Sequence, residues 1–399
     1  MRITDNMRFN TTVSNLFNTQ SQYNDLLEKM MSQKKVNRAS DDPIAATKII
    51  DIRQGIAANE QYRKNIADSE AWISMTELKL SGAYDLFVKA REIAMGQATA
   101  TANATSRKVA SQEVQSLVDE MTGLANAKLG DRYLFSGSKN KAEPFTAIPG
   151  EANIEAAEQA GNNVFEGTAL SSGTYSGTTN KTYVIKITQG GALAAASAQI
   201  STDGGRTWNG SDLPMAGGDI NLGDGVVITF DDAAGTKTFG INDIFVVNAT
   251  AEGYYQGNDD QLSLTINRGM NMTYNITGAE AFTATGGTGV DIFKTLNDLK
   301  NALDGNDVQG ISGQLENLKK AQDQVVLNQS RCGTKANHIE MTKSNLDTLD
   351  EKLTSLLSEA QDADLAEFAT RLSMKEIALQ ASYAMVAKIS NTTILNFLK

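Results

Sequence analysis

The residues best placed to do chemistry are those of the run Ser201-Thr202-Asp203-Gly204-Gly205-Arg206-Thr207-Trp208. In a hairpin, the Ser201 hydroxyl and Asp203 carboxylate can accept the turn's backbone amides, Gly205 can take positive φ, and Trp208 can pack beneath. Such chemistry shapes a turn and cleaves nothing. Asp219, Asp224, Asp231, Asp232 and Asp243 form a second cluster. Clustered carboxylate oxygens suit a hard cation, but EF-hand spacing is absent, so these acids read as solvated turn residues. Cys332 and His338 are the single cysteine and the single histidine. They exclude an intramolecular disulfide and leave no set of ligands for zinc. Without a Gly-x-x-x-x-Gly-Lys loop, or a histidine to serve a triad, the sequence predicts no catalytic residue, no cofactor and no metal ligand.

The run from Ser201 to Trp208 resembles the Asp-box that recurs in sialidase propellers, with Ser201, Asp203, Gly205 and Trp208 as its structural positions. It occurs once, not as a blade-spaced series, and no arginine constellation surrounds a tyrosine nucleophile. A hairpin device is the reading. A glycan-binding or hydrolytic surface protein built on this insert is the alternative of a different class.

The elements that must carry these residues are set by composition and period. A net charge of −11 over 399 residues, with no clustered basic face, argues against nucleic acid as a partner. No window approaches the roughly 18 consecutive apolar residues of a membrane span, and the start lacks the apolar core of a cleaved signal peptide. Neither a membrane partner nor a cleaved leader is expected. The prolines are Pro43, Pro144, Pro149 and Pro214, so long helices are permitted over 44–143 and after 214. Glycine steps such as Gly190-Gly191 and Gly217-Gly218 punctuate the region between about 137 and 290.

The flanks carry heptads. Ile311, Leu318, Val325, Cys332, Ile339, Leu346 and Leu353 make one apolar line, with Val308, Leu315, Gln322, Gln329, Leu349 and Leu356 as its expected companions. Ile52, Ile66, Ile73, Leu80, Phe87 and Ala94 share a register broken at Asn59. Val114, Leu117, Met121 and Leu124 continue the pattern after a polar loop at 99–106. Ser40-Asp41-Asp42-Pro43 supplies capping oxygens and a first-turn proline, and so predicts a helix start. Between the flanks, 182–187, 225–230 and 243–247 read as strands, while 151–180 reads as loop-rich.

Both chain ends are amphipathic. Phe9, Leu16, Tyr23 and Met30 share one position of an N-terminal helix, with Val13 and Leu27 beside them. Leu365, Leu372, Leu379 and Val386 repeat the pattern at the other end, joined by Phe368, Tyr383, Ile389 and Phe397. One such seam does not offset the backbone entropy of ordering about thirty residues, so these arms are expected to order on assembly. These fourteen residues are the predicted polymer interface.

The fold class that follows is α+β: a long antiparallel helical coiled-coil domain built from N- and C-terminal segments, with an inserted, outward-facing β-rich domain. The expected division is an N-terminal arm over 1–38, a discontinuous coiled coil of 39–140 with 290–360, a β-rich insert over 141–289, and a C-terminal arm over 361–399.

The segment from Val36 through Asn37, Arg38, Ser40, Asp41, Asp42 and Pro43 to Ala46 resembles the N-terminal signature of the flagellar hook-associated proteins related to flagellin. So do Gln380, Ala381 and Ser382 before Tyr383, and Lys388-Ile389-Ser390 near the close. Arg132-Tyr133-Leu134-Phe135-Ser136-Gly137 and Tyr254-Tyr255-Gln256-Gly257-Asn258 resemble family features too. The Asn391-Thr392-Thr393 run and Ile394 depart from a leucine-rich close. The resemblance implies a structural adapter that polymerises at the hook–filament junction, with flagellin itself as the same-class alternative. The implied partners are lateral copies of the chain, the first hook-associated protein, flagellin and a cytosolic export chaperone. The implied location is the extracellular flagellum, reached by the flagellar type III system without cleavage.

Overall fold

The computed structural model describes residues 5–215, 217–231, 236–284 and 289–397, and the side chains among them except those of residues 5, 6, 147 and 390–397. Chain order is helix, then strands, then helix. Helices α1 (Asp5–Ser32), α2 (Pro43–Gln97) and α3 (Ala104–Ala125) come first. Strands β1 (Lys128–Leu129) and β2 (Arg132–Tyr133) then pair with each other. The insert runs through β3 (Phe145–Gly150), β4 (Asn153–Ile154), β5 (Glu158–Gln159), β6 (Thr168–Gly173), β7 (Lys181–Gln189), β8 (Ser197–Ser201), β9 (Leu213–Pro214), β10 (Asp219–Gly223), β11 (Val226–Asp231), β12 (Ile244–Thr250) and β13 (Gly253–Tyr255). The hairpin β14 (Ser263–Asn267) and β15 (Met270–Thr273) leads to α4 (Gly278–Phe282), α5 (Ile292–Asp304), α6 (Val308–Gln361) and α7 (Leu365–Phe397). Two compact units divide the chain: the ends, up to Arg63 and from Lys343, and the middle, Lys64–Thr342.

In the terminal unit, α2 begins where capping chemistry predicts. Asp42 Oδ1 accepts from Ile44 N and Ala45 N at 3.0 Å each, and Pro43 fills the first turn, where no amide is needed. Arg53, Asn59 and Arg63 of α2 meet Gln361, Leu346 and Asp347 of α6, so the two helices run antiparallel. Asn59, the break in the heptad line, is buried and donates from Nδ2 to the Leu346 carbonyl at 2.9 Å.

In the middle unit, Ile66, Ile73, Leu80, Phe87 and Ala94 of α2 and Ile311, Leu318, Val325, Cys332 and Ile339 of α6 are fully buried. The expected companion line of α6 is buried at Gln322 and half-buried at Leu315 and Gln329, but it is corrected at its ends. Val308 is exposed here, as are Leu349 and Leu356 in the terminal unit, while Ala321, Asn328 and Thr342 form the second buried line. At Asn328 the reason is hydrogen bonding: α6 packs on the segment 275–283, built around the single-turn helix α4, whose carbonyls need donors. Asn328 Nδ2 donates to Glu280 O at 3.0 Å, Lys335 Nζ to Asn275 O at 2.6 Å, and Gln324 Nε2 to Thr283 O at 2.9 Å. Between α2 and α3 lies the predicted break. Buried Arg107 closes it by donating to Gln97 O and Thr99 O at 3.0 Å each, a cation at a helix C-terminus.

The insert holds a six-stranded antiparallel sheet, with β12, β7, β8 and β9 in order and β4 and β5 both on the outer side of β12. A three-stranded sheet, β10-β11-β6, shares one core with it. Phe165, Phe230, Phe239 and Phe245 sit at its centre, Phe165 stacked on Phe239 with ring centroids 4.0 Å apart. The loop-rich expectation for 151–180 is corrected, since β4, β5 and β6 lie there. They are edge strands whose side chains stay mostly exposed, so backbone pairing makes them without an apolar run. The chain enters and leaves the insert at one place, because Gly150 of β3 is the Cα partner of Gly253 of β13.

Candidate functional site

The terminal helices pair through a seam. Lys35 N donates to Gln361 O at 2.8 Å and Ala363 N to Gln33 O at 3.0 Å, which ties the inner ends of α1 and α7 together. Farther out, Lys375 Nζ donates to Gln22 Oε1 at 2.7 Å, so the helices run antiparallel. Leu16 is buried, and Phe9, Val13, Tyr23 and Met30 are half-buried. On α7, Phe368, Leu372, Leu379, Val386 and Ile389 are half-buried, at the alternating three- and four-residue steps of a coiled-coil seam. The seam completes itself with Lys375 and Ser382, while Leu27, Leu365 and Tyr383 lie outside it, exposed. The Phe397 and Ser390 side chains fall outside the described residues.

A second apolar face was not anticipated from periodicity. Met374, Ile377 and Met385 are 58%, 65% and 59% exposed, with Ala378 and Ala381 between them also exposed. At 100° per residue they flank the seam, roughly 70–130° round the helix from its centre, with Ile377 nearly opposite it. Phe17 and Met31 on α1 are likewise exposed. The signal was legible in the spacing 374, 378, 381, 385, and a strict seven-residue count passed over it.

The segment 37–43 builds the turn between α1 and α2. Asp41 Oδ2 accepts from Asn37 N and Arg38 N at 3.0 Å each, and these backbone amides hold the carboxyl below its usual range. Arg38 pairs with Glu28 at 3.0 Å, and Ser40 is exposed. At the other end, Gln380, Ala381 and Lys388 are exposed, and Ser382 Oγ donates to Ala378 O at 2.8 Å.

The segments 132–137 and 254–258, far apart in sequence, meet at the neck of the insert. Gly137 has φ +65°, and a Cβ there would stand 2.2 Å from the Asn258 carbonyl oxygen and from Oδ1. Ser138 N donates to Asn258 Oδ1 at 2.7 Å, and Tyr255 Oη lies 3.0 Å from Phe135 O and 2.6 Å from Asn258 O. Phe145 touches Tyr255, Phe282 and Phe293, with centroids 5.0, 5.3 and 5.0 Å away.

The Asp-box run occupies the loop of the β8–β9 hairpin. Gly205 N donates to Ser201 Oγ at 2.8 Å, while Arg206 N and Thr207 N donate to Asp203 Oδ1 at 3.0 and 2.9 Å. Burial would raise the Asp203 pKa, but bonds from Thr207, Ser201 and Arg206 prevail and lower it to about 2. Gly204 and Gly205 take φ of +73° and +91°, and Trp208 lies against Gly205 but is 36% exposed. Of the second acidic cluster, Asp243 is buried rather than solvated and accepts from Val164 N, Phe165 N and Gly240 N, Asp224 engages Lys181 and Tyr183, Asp219 accepts from Thr229, and Asp232 lies outside the described residues. Among the described residues no group of three or more His, Cys, Asp or Glu could hold a metal ion, and no helix is long and apolar enough to cross a membrane.

Comparison with known proteins finds the same ends. The bacterial flagellin N-terminal helical region matches residues 3–140, and the bacterial flagellin C-terminal helical region matches residues 315–398. Flagellar hook-associated protein 3 of Salmonella typhimurium is 31% identical over 151 residues, 38% of this chain and 48% of that protein. The match thus spans about half the length of that relative. A flagellin of Clostridium tyrobutyricum is 25% identical over 403 residues, 98% of this chain and all of the flagellin. A solved structure of a flagellar hook-associated protein from Vibrio parahaemolyticus has the same fold at a TM-score of 0.50 and 15% identity, covering 81% of this chain and 100% of its own.

Proposed function

This chain belongs to the flagellin-like family of flagellar structural proteins, and on that premise we propose that it is the adapter subunit polymerising at the hook–filament junction. The observation that carries the reading is the two-faced α7. One stripe is engaged by α1, and Met374, Ile377 and Met385 remain for another subunit. A monomer gains nothing from leaving such a stripe in water, whereas a lattice of open, heterologous contacts buries it in every copy. In this reading lateral copies pack through the terminal helices, which order on assembly, and the insert faces outward. One end of the layer meets the first hook-associated protein and the other meets flagellin.

The protein is then extracellular, exported uncleaved through the flagellar type III system with a cytosolic chaperone on its C-terminal arm. It performs no catalysis, since the Asp-box oxygens are spent on their own turn. Electron microscopy of a strain lacking the chain is the test. Hooks without filaments, with flagellin shed into the medium, are expected; normal filaments would refute the role.

The near full-length match to a flagellin favours a second reading, a filament subunit. Purified protein that grows long filaments alone would establish it. Short or absent polymers accord with the junction.

A further inference from the structure

The neck holds a carboxyl group that neither the assembly reading nor the Asp-box turn uses. Asp259 follows Asn258 at the neck, and its Oδ1 is buried without a hydrogen-bond partner. Its neighbour Asp260 is well served, accepting from Ser138 Oγ at 2.6 Å and Asn258 Nδ2 at 2.8 Å. The Asp-box turn seats against Asp260 and shares a cleft with Asp259. Gly204 N donates to Thr182 O at 3.0 Å, and a Cβ on Gly204 would stand 2.4 Å from Asp260 Oδ1. Arg206 is held in the same turn by its amide on Asp203 Oδ1 and its Nε on Asp203 O, both at 3.0 Å. A cleft of about 180 Å³ lies between, lined by Thr179, Asn180, Thr202, Asp203, Arg206 and Asp259 among others. Its walls are not set up for a ligand. Asn180 spends its amide on Tyr255 O, Gly257 O and Ala251 N, and Asp203 is saturated by its turn.

The charged and titratable groups that face Asp259 come from each packed element: Glu280 of α4, Asp260 beside it, Arg206 of the turn, and the Tyr175 and Tyr255 phenols, which burial and nearby acids keep protonated. Asp203 and Lys181 line the same cleft. Glu280 also reaches α6, since its carbonyl accepts from Asn328. Asp259 thus stands where the β8–β9 turn, the neck and the helical segments converge, with Glu280, Asp260 and Arg206 acting on a carboxyl whose Oδ1 is buried and unpartnered.

We propose that the Asp-box turn and Asp259 form a proton-linked clasp at the neck of the insert, closed more tightly as the surroundings turn acidic. In the closed neck, burial and the charges of Glu280 and Asp260 push Asp259 up to about 7, against the opposing pull of Arg206. Once the neck opens, the carboxyl returns to roughly 3.9. Between those values opening releases a proton, so the clasp is strongest at low pH, weakens as pH rises, and levels off above neutrality. The Asp-box then does more than hold its own hairpin: it carries Arg206, the cation that acts on Asp259.

Hydrogen exchange of the full chain, corrected for intrinsic rates, tests this on the peptides spanning 201–209 and 253–260. Protection is expected to fall roughly tenfold per pH unit from pH 5 to 7 and then to level off. Asp259→Asn should abolish that slope. Glu280→Gln should bring the plateau to lower pH and Arg206→Gln to higher pH, by opposite changes in local charge, which keeps the test open if Asp259→Asn misfolds. A flat wild-type profile, an unchanged slope in Asp259→Asn, or plateau shifts of the same sign in the two charge variants would overturn the clasp.

Discussion

Replacing Ile377 by Asp separates assembly from folding. Ile377 is 65% exposed on the face of α7 turned away from α1, so the monomer has little to lose. A surface change of this kind moves stability by about 0.5 kcal/mol, helix propensity included. The lattice has much more to lose. Full burial of an isoleucine contributes about 1.5–3 kcal/mol, so the two-thirds still exposed are worth about 1–2 kcal/mol per contact. That alone weakens each contact roughly 5- to 30-fold. A carboxylate pressed into the same apolar site adds its desolvation cost. The variant should therefore show wild-type far-UV circular dichroism yet restore few filaments in a strain lacking the chain, with flagellin accumulating in the medium. Glu376→Gln, one residue away and exposed, should restore them fully. Wild-type filament numbers with Ile377→Asp would refute the assignment of this stripe to assembly.

Gly137→Ala combines a left-handed backbone with a Cβ 2.2 Å from Asn258, and should destabilise the middle unit by at least about 2 kcal/mol in denaturant unfolding. Phe245→Ala, at 0% exposure against Phe165, Phe230 and Phe239, should cost about 3–5 kcal/mol, read as lost exchange protection across β7 and β12 with the terminal helices unaffected. Asp203 has a lowered pKa, so its contribution is present above about pH 4 and lost as pH falls through about 2. Protease sensitivity of the 202–212 loop should rise in that range, and Asp203→Asn should make the loop sensitive at neutral pH. Replacing 151–252 by a short turn should leave the remaining chain folded, because Gly150 and Gly253 are already Cα partners; loss of its helical circular dichroism would contradict the neck geometry.

Residue order alone determined most of what is local or periodic. The line from Ile311 to Leu346 is buried because a seven-residue apolar repeat has only one face to hide. Asp42-Pro43 opens α2 because a carboxylate and a ring-locked φ are what a first turn requires. The strands at 182–187, 225–230 and 243–247 follow from β-branched runs between turn formers. Tertiary structure decided the rest, wherever a residue's role depends on a partner far along the chain. Asn328 takes the second buried line of α6 since carbonyls of the 275–283 chain need donors, a demand no period in α6 can reveal, whereas Thr342 Oγ1 donates back to His338 O of its own helix. Strand β6 exists because β11 offers it a ladder, not because its own side chains favour one. Gly137 is required by Asn258, 121 positions later, and Asp259 owes its raised proton affinity to burial and Glu280, set against Arg206, the two charged groups being brought to it from opposite directions along the chain. Spacing is written in the sequence, but the electrostatic field and the close approach of backbones arise only when distant segments are packed together.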